Sequence, residues 1–263
     1  IETVYQVGAG ALRADLTGKL RADQQVFLPL SVLVLLLPLG FTGFIPAVIA
    51  LIALYALMGL GLNITLGLAG LLDLGFVAFF AVGAYTTALL TSTGELGIAQ
   101  WNFFVAIPFA MLVAMGFGIL LGLPLLRLRG DFLAIATLGF GITITQIIGK
   151  IKVLGERQGL HAPELTIGPW HLNTDKDFYF LLIPITILLA VMARNLVHTK
   201  VGRAFIAIRD ADIAAETMGV NLTLYKTLAF AVSAFYAGIG GGMYAFVLRF
   251  IEPELFSLFM SVM

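Results

Sequence analysis

Long apolar runs, each closed by glycine, proline or charge, set the pattern of this 263-residue chain. A helix needs roughly 20 apolar residues to cross a bilayer. Runs at 26–44, 45–66, 74–90, 103–126, 132–149, 178–193 and 227–248 meet or approach that length and predict seven spans, the sixth of them short. Pro38, Gly40, Gly43 and Pro46 interrupt the first stretch and suit a tight turn between spans one and two. The expected fold class is all-α, a polytopic transmembrane helical bundle. The chain starts at Ile1 and is still apolar in its last stretch, LFSLFMSVM, so more sequence is expected beyond both ends.

Two segments break the pattern. In residues 1–25, Leu12, Leu16 and Leu20 recur at helical spacing among Arg13, Asp15, Lys19, Arg21 and Asp23. That is the pattern of an amphipathic helix lying at the membrane surface, with a disordered leader as the alternative, and it is too charged for a signal peptide. The remainder, 26–263, is expected to form one transmembrane domain. Within it, 194–226 is a polar connection of about thirty residues, long enough to carry structure or a task of its own.

Lys and Arg orient the spans, because they concentrate in cytoplasmic loops. With 194–226 in the cytoplasm, the N-terminus and the RLRGD turn also face inward. The inward segments then carry Arg13, Lys19, Arg21, Arg127, Arg129, Arg194, Lys200, Arg203, Arg209 and Lys226. The outward side carries Lys150, Lys152, Arg157, Lys176 and Arg249.

Composition excludes several functions. The chain is 60% hydrophobic and 11% charged, with a mean hydropathy of +1.03, far from a soluble domain. A formal net charge of zero gives no basic surface for nucleic acid. There is no cysteine, hence no disulfide, thiol nucleophile or cysteine-type zinc site. His161, His171 and His198 fall in predicted loops without ligand spacing. The sequence holds no Gly-x-x-x-x-Gly-Lys-Ser/Thr phosphate loop, no HExxH and no nucleophile elbow, so an enzyme or an ATP site of that kind is not expected.

Against this background RDADIAAETMG, Arg209 to Gly219, is conspicuous for its charge. Asp210 or Asp212 can cap a helix that Gly219 stops. Ala211, Ala214, Ala215 and Met218 would line one face of small and flexible residues, with Asp212 and Glu216 on a polar face. Such a helix can lie in another protein's groove, or pack as a solvated helix on its own domain; periodicity alone leaves both open.

The stretch VGRAFIAIRDADIAAETMGVNLTLYKTLAFAVSAFYAGIGGGMYA resembles the permease subunits of bacterial ABC importers for branched-chain amino acids, of the LivM type. GLNITLGLAGLLDLGFVAFFAVGAYTTALL and RLRGDFLAIATLGFG are similar to two further blocks of that family. The family's Glu-Ala-Ala-x-x-x-Gly pattern reads here Ile213-Ala214-Ala215-x-x-x-Gly219, with Ile213 replacing the glutamate. The resemblance implies that Arg209, Asp210, Asp212, Ile213, Ala214, Ala215, Glu216, Met218 and Gly219 form a coupling helix docking on a separate ATPase. It also implies a LivH-type second permease subunit, two ATPase subunits binding ATP and Mg, and an extracytoplasmic solute-binding protein. The expected setting is the bacterial inner membrane. The coupling loop and the N-terminus would face the cytoplasm.

GLAGLLDLG places Gly70, Asp73 and Gly75 between apolar runs. It is either an ordinary turn with Asp73 capping the third span, or a broken helix on the translocation path. Thr86, Thr143 and Gln146 are further path candidates, and Thr87 and Thr145 are similar polar groups inside spans; all five equally suit local hydrogen bonding. Gly118-x-x-x-Gly122 and Gly238-x-x-x-Gly242 permit close helix packing. The outer loop 150–177 suits either a contact with a solute-binding protein or plain surface. Two rivals accompany the importer reading: an ion-coupled secondary transporter using Asp73, and a non-transporting membrane scaffold.

Overall fold

The fold is that of a computed structural model, which describes residues 44–92, 100–125, 128, 131–155, 159–162, 165–167, 170–172 and 175–256. The N-terminal segment 1–25, the span at 26–44 but for its last residue, Arg127 and Arg129 lie outside the described residues, as does everything past Phe256. Ala47–Met263 forms one compact unit, and the helix that leads into it starts at Phe44.

Helix α1, Phe44–Asn63, continues into a π-helical turn, Ile64–Leu68. After an irregular connection come α2, Phe76–Thr91, α3, Phe103–Leu125, and α4, Asp131–Ile148. Then α5, Asp175–His198, is followed by two short helices, α6, Lys200–Asp210, and α7, Asp212–Thr217, before the long α8, Leu222–Leu248. Phe44–Leu68, Phe103–Pro124, Lys176–His198 and Leu222–Leu248 are long and apolar enough to cross a membrane, while Phe76–Thr91 and Phe132–Ile148 are shorter apolar helices. The fold is a helical membrane bundle, as expected.

Several boundaries differ from the expectation. The sixth predicted span is not short: α5 has 24 residues and absorbs Lys176, Asp177 and Arg194, whose charges read as loop in the sequence. Such side chains at a span's end can keep their stems on apolar surface and their heads in water. The seventh span begins five positions early, because the Asn221 side chain caps it, accepting from the Leu224 amide at 3.1 Å. The polar connection is thus largely helix, and His198 closes α5 rather than lying in a loop.

Four short strands add a β component that the apolar pattern did not announce. β1, Leu160–His161, pairs antiparallel with β4, Phe250–Ile251; β2, Leu165–Ile167, pairs with β3, Trp170–Leu172. The first ladder ties the connection after α4 to the end of α8, with the Ala162 amide donating to the Arg249 carbonyl at 2.9 Å.

The core is a trio of helices, α2, α3 and α8. All of α2 is buried except Thr86 and Leu89. A helix apolar on every side belongs in the middle of a bundle. Glycine lets the trio close: a Cβ on Gly83 would lie 2.6 Å from the Gly238 Cα, and one on Gly241 would strike the Phe80 carbonyl. Gly118 meets Ala234 and the Phe230 carbonyl, and Gly122 meets Thr227; Gly238 and Gly242 meet Met111 and Ile107. Both glycine pairs singled out in the sequence therefore serve packing. Facing outward, α3 presents Phe104, Leu112 and Leu120, each more than half exposed.

Candidate functional site

The glycine-rich block and the charged stretch, more than 130 positions apart, form one site. The π turn ends α1 untidily: the Ala69 amide reaches the Ile64 carbonyl, and the Leu71 amide reaches Thr65. Helix ends leave carbonyls unpaired and carry partial negative charge. Arg209, in the last turn of α6, supplies both a donor and a positive charge: its Nη1 donates to the Gly67 carbonyl at 2.9 Å. Gly70, with φ +67°, lies beneath the same side chain; a Cβ there would come within 2.6 Å of the Arg209 Cγ. Arg209 also pairs with its neighbour Asp210 at 3.1 Å. A cavity of about 250 Å³ opens between Gly70, Leu71, Leu133, Arg209, Asp212 and Lys226.

Asp73 does not cap α2; Gly75 occupies that position. The Asp73 carboxylate instead accepts from the Gly75 amide at 3.0 Å, a local turn in the connection before the helix. The side chain is 2% exposed, and its Oδ2 has no hydrogen-bond partner among the described residues. Burial raises its pKa to about 7, against the opposing Gly75 bond. Thr137 of α4 closes the turn from the far side, its Oγ1 accepting from the Leu74 amide at 3.1 Å. A Cβ on Gly75 would collide with the Thr137 carbonyl. This irregular backbone, between the apolar helices Phe44–Leu68 and Phe76–Thr91, is thereby largely covered by protein.

The charged stretch folds differently from its predicted helix. Ala211 breaks it, with extended backbone, and α7 starts at Asp212 with no side-chain cap. Asp210 stays in α6, and Asp212 turns to Lys226 of α8 at 3.8 Å. The end is as expected: Gly219 takes φ +86°, its amide reaches the Glu216 carbonyl, and the Val220 amide reaches Ala215. These two bonds make a Schellman cap. The small-residue face does not form, because Ala215 is buried inward and Ala211 lies at the break. What α7 turns outward is apolar and larger, Ile213 at 65% and Met218 at 85% exposure, beside Ala214 and Glu216.

The path candidates do not gather in one place. Gly70 lies against Arg209 just before α7, Gly75 lies against Thr137 and Gly141 partway along α4, and Thr86 falls in the second half of α2. Thr143, which bonds the Gly139 carbonyl at 2.7 Å, and Gln146 are near the other end of α4. At 1.5 Å per residue Gln146 stands about 14 Å along the α4 axis from Thr137, against which Gly75 packs. Gln146 lines a second cavity there, of about 360 Å³, with Thr145, Lys150, Pro253, Glu254 and Phe256. Nothing in the sequence linked Lys150 to Glu254. Among the described residues no group of three or more His, Asp or Glu side chains could hold a metal ion.

A broken helix behind a short exposed helix is the arrangement, and residues 44–263 match the family described as branched-chain amino acid transport system / permease component. The chain belongs to that family. It is 36% identical over 229 residues to the high-affinity branched-chain amino acid transport system permease protein LivM of Salmonella typhimurium, covering 78% of this chain and 53% of that one. The LivM of Escherichia coli K12 is 36% identical over 231 residues, with the same coverage. A nucleoside ABC transporter permease protein, NupC of Lactococcus lactis, is 24% identical over 192 residues, 67% of this chain and 59% of that protein. The chain thus spans about half the length of the LivM proteins it matches. No solved structure matches it. Family and helices together make it a multi-pass membrane protein of the permease class.

Proposed function

We propose that this chain is the transmembrane permease subunit of an ATP-driven importer for branched-chain amino acids. In this reading it pairs with a related LivH-type permease subunit. Two separate ATPase subunits bind ATP and Mg, and a solute-binding protein delivers leucine, isoleucine or valine from outside. The observation that carries the reading is the seat of α7: Ile213 and Met218 project outward, while Arg209 immediately before it grips the broken end of α1. An ATPase that moves α7 pulls on that break and biases the bundle between two states. The Lys and Arg count supports a cytoplasmic location for this end.

The test is co-purification of the ATPase with the full-length chain. Ala215 is buried, so a bulky residue there would damage the fold as well as the contact. Ile213→Glu and Met218→Glu alter only the outward face. Both are expected to keep a monodisperse permease and to lose the ATPase. Retention of the ATPase by the double variant overturns the docking role.

The half-satisfied Asp73 carboxyl favours one alternative, an ion-coupled carrier. Uptake that survives ATP depletion and collapses with the ion gradient would select it; the importer reading expects the reverse.

A further inference from the structure

The cavity of about 360 Å³ at the Pro253 end of α4 holds two opposite charges that do not meet. Lys150 and Glu254 both line it. Among the described residues neither side chain makes an ion pair or a hydrogen bond, with the other or with any third group. Opposite charges at a shared mouth would be expected to close on each other unless the backbone holds them apart.

The backbone does hold them. Lys150 closes the turn after α4, where Gly149 packs on the Pro253 ring, a Cβ there lying 3.7 Å from its Cγ. Glu254 sits in the 3-10 turn Pro253–Leu255, which the β1–β4 ladder anchors through Ile251 paired with Leu160. Phe256 then pins the segment from below. It is buried and packs against Tyr85, Tyr244 and Phe80 at ring distances of 5.8, 6.0 and 6.1 Å. The cavity thus has a cation and a carboxylate on fixed supports and a ring and a proline as apolar lining. Gln146 and Thr145 lie beside them.

We infer that this cavity is a binding site for a zwitterionic, apolar α-amino acid, its carboxylate turned to Lys150 and its ammonium to Glu254. Both ligand groups are ionised at neutral pH and sit on one carbon, so a single small molecule answers both charges. The inference rests on the import reading, and it places the site at the end of the bundle opposite α7. Lys150 and Glu254 are solvent-exposed, so each ion pair contributes on the order of two- to fivefold in affinity. Such a site binds weakly and selects by charge, as suits a place where substrate is handed over and passed on.

These 263 residues hold no cysteine, so a Gln146→Cys reporter in the full-length chain, within its complex, can be followed by maleimide labelling against the same complex without the reporter as background. The probes are leucine, its deaminated acid 4-methylpentanoate and its decarboxylated amine 3-methylbutylamine. Leucine is expected to slow labelling, and each one-charge analogue to need several-fold higher concentration for the same effect. Glu254→Gln should remove the advantage of leucine over the acid while leaving its advantage over the amine; Lys150→Gln should do the converse. Equal protection by all three probes, or unchanged preferences in both variants, overturns the site. Substrate-dependent ATP hydrolysis, measured on the same complex, separates the two claims. Hydrolysis without charge-selective protection removes this site alone; protection without an ATPase removes the import reading alone.

Discussion

The Arg209 guanidinium donates to the Gly67 carbonyl at 2.9 Å, across 142 positions of sequence. Among the described residues it is the one contact in which the last turn before α7 holds the broken end of α1 by a charged donor. The side chain is 45% exposed, so the bond is worth roughly 1 kcal/mol, less than a buried charged bond. Arg209→Ala is expected to leave ATPase association intact and to lower uptake per ATP hydrolysed, with Arg209→Lys in between. Equal uptake and hydrolysis in the Ala variant would remove the mechanical role.

Gly70→Ala should act through the same pair. Its positive φ costs about 1–2 kcal/mol for a residue with a Cβ, and the new methyl displaces Arg209. In the Gly70→Ala, Arg209→Ala double variant the 2.6 Å clash with the Arg209 Cγ is gone, and the backbone cost remains with tight contacts of 3.1 and 3.2 Å to the Cβ and Cα at position 209. The two changes should therefore be less than additive in thermal melting.

The glycines of the bundle divide into two sets. Gly241→Ala drives a methyl into the Phe80 carbonyl and should abolish the folded, monodisperse species on size exclusion. Gly59, Gly116 and Gly139 have no atom within 4 Å of such a methyl. Alanine at those three should melt at the same temperature or higher, by up to about 1 kcal/mol of helix propensity.

Asp73 gives the chain a pH dependence with a definite sign. Its folded pKa, about 7, lies above the ordinary 3.8. The folded state therefore holds the proton more tightly, and stability falls as pH rises from about 4 to about 7. Asp73→Asn can still accept from the Gly75 amide and should flatten the melting temperature across that window. A slope unchanged in the variant would assign it to other groups.

Tyr85 and Thr87 each bury an oxygen with no hydrogen-bond partner among the described residues. An unmade buried bond costs about 1–3 kcal/mol, so Tyr85→Phe should be neutral or stabilising in a melt. Loss of uptake in a variant that melts no lower would mark the hydroxyl as functional.

Apolar run length located the six described membrane helices well. The run at 103–126 became Phe103–Leu125 and that at 132–149 became Asp131–Ile148. It failed where charge and helix coexist, at Lys176 and Arg194 in α5 and at Lys226 in α8, because a composition rule reads charge as loop. The charged stretch announced its own stop at Gly219, since only a left-handed residue fits there. It did not announce which face would turn inward. Ala214 and Ala215 are chemically alike, and only the packing against the rest of the chain decides that Ala215 is covered. The bond between Arg209 and Gly67, the pairing of Leu160 with Ile251 and the cavity that Lys150 and Glu254 both line are all long-range. No local pattern encodes them.

Where α2, α3 and α8 touch through glycine there is almost no side chain to act as a lubricating layer. Sliding one helix by a single residue would replace glycine with Val82, Met243 or Ile239 against a neighbouring backbone. The trio therefore moves as a solid piece. Strain arriving from an outside motor would have to be spent at its margins, on α4, α5 and the kinked end of α1, which sets where labels for single-molecule distance measurements belong.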